Sequence, residues 1–149
     1  MDYLHFIVNE IHTVVAATTD DKGLPVTCAI DMMDSDKNGL YFLTAKGKGF
    51  YSRLKKNGYM ALTGMKGKDT MSCVAVSVRG KVCELGTELL PRLFEKNPYI
   101  KEIYPTKESQ QALTVFRIPL IIVPNPATSS PPTRISRKSA IQAHCLYAK

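Results

Sequence analysis

Leu40-Tyr41-Phe42-Leu43-Thr44-Ala45-Lys46-Gly47-Lys48-Gly49-Phe50-Tyr51-Ser52-Arg53-Leu54-Lys55-Lys56-Asn57 is the stretch on which the fold turns. Its first five residues are apolar and aromatic and end in Thr44, which reads as a strand. Two glycines then alternate with two lysines in a tight loop. Phe50, Tyr51 and Leu54 follow at the spacing of one face of a short helix. A strand that passes through Gly and Lys into a helix start can hold an anion. The free N–H groups of the first helical turn point at it, and lysines add charge. A solvated loop whose lysines only keep the protein soluble is the competing reading, because the GK[ST] of a P-loop is missing.

Working toward the N-terminus, Asp34-Ser35-Asp36-Lys37-Asn38-Gly39 reads as a hairpin turn, and Pro25 to Met33 as the strand before it. Pro25 stands at the first position of that strand, where a missing N–H is tolerated. Asp20-Asp21-Lys22-Gly23 is a second turn, preceded by the β-branched run Thr13 to Thr19. Met1 to Glu10 has Tyr3, Leu4, Phe6 and Ile7 at near-helical spacing and predicts an amphipathic helix. His5 and His12 flank it, with no nucleophile or carboxylate at useful spacing, so surface or capping roles are expected.

Toward the C-terminus, Gly58 suits a helix end and Tyr59 to Thr63 a fourth strand. Met71 to Glu84 is a long strand-like run in which Gly80 suggests a bulge or bend. From Gly86 to Tyr104 the apolar period becomes helical, interrupted near Pro98, and Leu113 to Ile118 is a last core strand. Strands joined by hairpin turns, with one helix inserted and others returning late, predict a mainly β (α+β) fold: an antiparallel split β-barrel with flanking helices. That domain is expected over residues 1–118. Residues 119–149 hold five of the nine prolines and a basic, Ser/Thr-rich composition, and are expected to be extended or disordered, with an edge strand at most over Ile118 to Val123.

Composition narrows the function classes. A chain of 149 residues with 44% hydrophobic content supports one packed domain. No run approaches the length of a membrane helix, and the N-terminus has no basic n-region or cleavage site, so a cytoplasmic protein is expected. Cys28, Cys73, Cys83 and Cys145 lack C-x-x-C spacing, which argues for reduced thiols and against a metal site. The net charge of +7 is uneven: no acid falls between Asp36 and Asp69, where eight lysines and arginines lie. Such a surface suits a phosphorylated cofactor or a nucleic acid.

Taken in order, these segments resemble the FMN-binding split-barrel proteins related to pyridoxamine 5'-phosphate oxidase. Asp21-Lys22-Gly23-Leu24-Pro25 resembles the family's D-G-x-P hairpin and Leu40-Tyr41-Phe42-Leu43-Thr44 its Y-F-x-T strand. Leu54 and Asn57 stand at its L-x-x-N spacing, and Val78-Arg79-Gly80 is similar to its V-x-G strand. The resemblance implies FMN at the interface of a homodimer, serving an oxidoreductase that passes electrons or hydride to a small acceptor. It implies a phosphate site at Thr44, Ala45, Lys46 and Lys48, and a flavin ring along Val26, Thr27 and Cys28. It does not extend to the oxidase's own substrate. Thr27 stands where the oxidase has arginine, Lys48-Gly49-Phe50 where it has Ser-Arg-Lys, and the tryptophan and Arg-x-His motif of its C-terminus are missing. A heme or a deazaflavin in place of FMN, and a non-enzymatic basic barrel binding nucleic acid, are the alternatives.

Overall fold

A computed structural model of the chain describes residues 2–69, 72–119 and 140–145, the last of these by backbone alone. The N-terminal helix α1 (Tyr3–His5), capped by the Asp2 carboxylate, widens into a π-helical turn over Phe6–Ile11. The strands are β1 (Thr13–Thr19), β2 (Pro25–Asp31), β3 (Asp34–Asp36), β4 (Gly39–Ala45), β5 (Tyr59–Lys66), β6 (Val74–Lys81), β7 (Cys83–Gly86), β8 (Leu113–Pro119) and β9 (Ala140–Cys145). Helix α2 (Gly49–Asn57) lies between β4 and β5, while α3 (Leu90–Lys96), α4 (Ile100–Ile103) and α5 (Lys107–Gln111) lie between β7 and β8.

Two antiparallel sheets result, one in the order β2-β1-β5-β6-β9 and the other β3-β4-β8-β7. They face each other across a core of Ile7, Val14, Leu40, Phe42, Leu54, Leu62, Val76, Phe116 and Ile118. In the first sheet one face is apolar and the other open, so along β1 and most of β5 buried residues alternate with more exposed ones. Strands β4 and β8 are covered on both faces. Leu40 and Phe42 enter the barrel core, while Tyr41 packs outward against Leu90, Leu93, Phe94 and Ile100 of α3 and α4. This double burial is why Leu40 to Leu43 reads as an unbroken apolar run. The Phe42 and Phe116 rings, opposite each other in register, stack with centroids 5.6 Å apart.

Two segments differ from the sequence expectation. Met71 to Glu84 is not one strand with a bend at Gly80. Gly80 stands in regular register opposite Met60, and the chain leaves the first sheet two residues later at Val82. The Val82 N–H donates to the Gly58 carbonyl (2.9 Å), and β7 then pairs with β8 in the other sheet, where the bulge falls between Glu84 and Gly86. The hairpin turn expected at Asp34 to Gly39 contains a short strand, β3, whose Asp34 is buried rather than solvated. Lys96 (2.5 Å) and Arg92 (2.5 Å) of α3 both ion-pair with it, fixing the helical layer to the hairpin.

His12 ends the N-terminal helix at φ +63°, an uncommon conformation for a residue with a Cβ. Its Nε2 lies 2.9 Å from the Tyr99 hydroxyl, which donates to Asp31 (2.7 Å). Burial, then the Asp31 carboxylate, holds the Tyr99 phenol well above its usual range. This tie joins the N-terminal helix, β2 and the α3–α4 connection, a packing role for His12. The expected strand over Ile118 to Val123 ends β8 through Pro119, and its remaining residues lie outside the described set, as does most of the tail. An edge strand in the tail is present at Ala140–Cys145, paired with β6.

Candidate functional site: the start of helix α2

Helix α2 bridges the two sheets. It leaves the end of β4, buries Phe50 and Leu54 one turn apart against the core, and ends at Gly58, whose φ of +67° and N–H bond to Leu54 (2.8 Å) close the last turn. Its C-terminal half is fastened to the β1–β2 hairpin. Asn57 Nδ2 donates to the Thr19 carbonyl (2.7 Å) and Lys56 pairs with Asp21 (2.6 Å). Charges from the first two turns of α2 reach Cys28 on β2, an edge strand of its sheet.

That N-terminus has no side-chain cap and no acidic residue in its first turn. Lys48 occupies the capping position in extended backbone, its own N–H donating to the Ala45 carbonyl (3.1 Å). Arg53, one turn on, folds back. Its Nε donates to the buried Thr18 hydroxyl (2.8 Å), and its Nη1 lies 3.2 Å from where a Cβ on Gly49 would stand. Across from them is Cys28, half-buried on the inner face of β2. Burial pushes its thiol up while the charges of Arg53 and Lys48 pull it down, and burial prevails. Among the described residues neither Lys48 nor Arg53 has a carboxylate partner.

The expected site residues are divided by this geometry. The charge of Lys48 reaches Cys28, and Val26 shares the inner face of β2 with Cys28. Thr27 stands on the opposite, exposed face of the same strand. Thr44 is buried at the end of β4 in register with Thr114, whose hydroxyl donates to Glu84 (2.9 Å). Ala45 packs with the helical layer. Lys46 lies within electrostatic reach of Glu84. Burial would raise the Glu84 carboxyl, yet bonds from Lys55 and Thr114 and the charges of Lys55 and Lys46 hold it below its usual range. Two charged groups therefore flank α2: the unpaired cations Lys48 and Arg53 facing β2, and the neutralised Glu84 cluster facing β7 and β8. Sequence reasoning missed Arg53. The signal available was its position four residues after Gly49, which places the two on one helical face.

An uncapped helix start with an ammonium and a guanidinium beside it is a donor set for a doubly charged oxyanion. A phosphate fits it better than a metal cation, since the near-facing groups are positive. The fold is that of a split barrel, with an uncapped, cationic helix start following β4. The chain belongs to the pyridoxamine 5'-phosphate oxidase family, whose model matches residues 2–120.

Solved structures agree on the fold at low identity. A NimC/NimA family protein from Clostridium acetobutylicum superposes with a TM-score of 0.64 at 17% identity, over 77% of this chain and 78% of that one. A heme storage protein from Vibrio cholerae gives 0.62 at 13%, over 77% and 85%. A protein of the pyridoxinephosphate oxidase family related to general stress protein 26, from Clostridium acetobutylicum, gives 0.58 at 18%, over 74% and 75%. No protein of curated function matches the sequence. Among the described residues no helix is long and apolar enough to cross a membrane.

Proposed function

We propose that the chain is an FMN-binding flavoprotein in which the start of α2 takes the flavin phosphate and β2 lies along the ring. The observation that carries this reading is the uncapped α2 N-terminus next to Lys48, over which Arg53 folds back from Thr18 without a carboxylate partner among the described residues. When bound, FMN supplies the redox chemistry, an exchange of hydride or single electrons with a small acceptor. The residues of this chain hold and orient it. Lys48 and the first-turn N–H groups neutralise the phosphate, the outer edge of β2, unpaired among the described residues, offers backbone groups to the polar rim of the ring, and Val26 and Cys28 shape the adjoining wall.

A homodimer belongs to the same reading. The open face of the first sheet carries Val15 (54% exposed) and Met65 (57%) among small residues, with Val15 opposite Ala29 and Thr63. A second copy on this face covers the apolar patch and also borders β2, because Thr27 and Ala29 belong to both.

Heme is the second reading, since one of the structures similar in fold is a heme storage protein. At His12 the geometry does not favour it. His12 has both ring nitrogens engaged, with the Val8 carbonyl (3.3 Å) and with Tyr99. Nucleic-acid binding by base stacking is disfavoured, as Tyr3 and Tyr59 are the exposed aromatics among the described residues.

Titration of the full chain with FMN and with riboflavin tests the phosphate assignment. FMN is expected to bind at least a hundredfold more tightly, because only it engages the cations. Equal affinities would mean that the start of α2 is not the phosphate site.

A further inference from the structure

His12 joins a strained backbone to a fully engaged ring. Its φ of +63° and ψ of −64° are those of a strained γ-turn, at the point where the N-terminal π-helical turn gives way to β1. Such a conformation persists only where its surroundings hold it. The His12 N–H donates to the Ile7 carbonyl (2.8 Å), and its carbonyl accepts from the Met32 N–H (2.8 Å) just past β2. The ring adds two further ties: Nδ1 lies 3.3 Å from the Val8 carbonyl oxygen and Nε2 2.9 Å from the Tyr99 hydroxyl.

The hydrogens available along this line fix the state of the ring. The Val8 carbonyl can only accept, so Nδ1 carries a hydrogen. Tyr99 has a single hydroxyl hydrogen, and it goes to Asp31 (2.7 Å). Burial would raise the Asp31 carboxyl, yet bonds from Thr13 and Tyr99 and the charge of His12 hold it below its usual range, so it stands as an acceptor. The Tyr99 oxygen is then left to accept from Nε2, which carries the second hydrogen. Only the imidazolium makes all three bonds, and it lies 3.7 Å from the Asp31 carboxylate. A neutral ring sets a lone pair against the Val8 carbonyl, or takes the Tyr99 hydrogen away from Asp31.

We infer that His12 is a proton-operated latch, holding the N-terminal helix against the end of β2 and the α3–α4 connection as the imidazolium and releasing its strained hinge when the proton leaves. The docked segment binds one proton more than the released one. Docking therefore strengthens as pH falls through the histidine range, about 6.5 for a free ring, and weakens above it. The His12 and Asp31 side chains are 34% and 33% exposed, so the proton exchanges with solvent. The other charged groups around the segment are Glu10, paired with Lys66 of β5, and Asp34 of β3, paired with Arg92 and Lys96. Carboxylates and lysines do not change charge in the range where histidine does. His5, the other histidine of the segment, is exposed on α1. Ile7, fully buried in the core, keeps the helix near its seat at either pH, so the latch shifts a local opening and not the global fold.

Hydrogen–deuterium exchange of the full chain at about pH 5.5 and 8.5, corrected for the intrinsic pH dependence of exchange, tests the latch. In wild type the protection of amides 6–12 should fall at least tenfold between the two, while that of β4 and β8 stays within twofold. His12→Asn, which tolerates the positive φ and cannot titrate, should show low protection at both pH values. Tyr99→Phe keeps a titratable ring but loses the relay to Asp31, and its step should shrink below threefold. A wild-type step within twofold, or a full step surviving in His12→Asn or in Tyr99→Phe, would overturn the inference. None of these outcomes depends on what occupies the start of α2.

Discussion

Lys48→Glu should weaken FMN binding about a hundredfold, whereas Lys46→Glu should change it by less than about fivefold. Both lysines lie in the same glycine-rich loop and both are exposed, so sequence offers no reason to separate them. The folded chain does. The charge of Lys48 reaches Cys28 on β2, together with that of Arg53, while the charge of Lys46 reaches Glu84 on the far side of α2. Reversal at position 48 replaces an attraction with a repulsion next to the helix N-terminus. Two unit charges about 4 Å apart at a protein surface interact by ~4 kcal/mol before screening. Solvent exposure reduces that, and about 2.8 kcal/mol, a hundredfold, is the expectation. Reversal at position 46 acts mainly on a cluster already neutralised by Lys55. Flavin fluorescence quenching on both variants gives the comparison, and similar losses would place the phosphate further along the loop.

Gly39→Ala should destabilise the fold by about 3 kcal/mol or more without any change at the α2 site. Gly39 opens β4 at φ +140°, a conformation that residues with a Cβ rarely adopt. A Cβ there would stand 2.0 Å from the Ile118 carbonyl oxygen and 2.9 Å from its carbon. These are backbone atoms of the paired strand, held by the β4–β8 ladder, so no rotamer change relieves the clash. The hairpin carrying Asp34 and the first residues of β4 must shift, and with them the anchor for Arg92 and Lys96. Thermal or urea unfolding of the variant measures the loss, and a melting temperature equal to wild type would show that β4 and β8 slide apart freely at this end.

Much of this architecture was legible because local signals and tertiary burial agree. The β-branched run Thr13 to Thr19 is β1, residue for residue, and Gly58 ends α2 as its lack of a Cβ allows. Leu40 to Thr44 lies within β4, with Tyr41 and Phe42 buried on opposite faces. Elements whose cause lies far away in sequence were harder. Val82 looks like any residue of a continuous strand, yet the chain changes sheets there, and the Gly58 carbonyl that accepts its N–H belongs to another element. Asp34 has the chemistry of a turn, and only α3, delivering Arg92 and Lys96, makes its burial tolerable. α5 follows an ST-type cap at Thr106 in a polar segment without apolar periodicity, so nothing in the hydrophobic pattern announces it.

The site was legible to a similar depth. The loop, its lysines and the helix start were evident from residue types. The partition of Lys46 from Lys48, and the return of Arg53 over Gly49, depend on where α2 is fastened. Thr18, Thr19 and Asp21 on the β1–β2 hairpin do that fastening. No local rule specifies which side of the helix faces β2.

The absorption spectrum of the purified full chain, before and after incubation with excess FMN and removal of the unbound fraction, tests the flavoprotein reading most directly. A flavin spectrum in the near-ultraviolet and blue that persists through the removal step, with FMN released on denaturation, is the predicted result. A colourless protein after incubation, or one that retains only a heme Soret band, would contradict it.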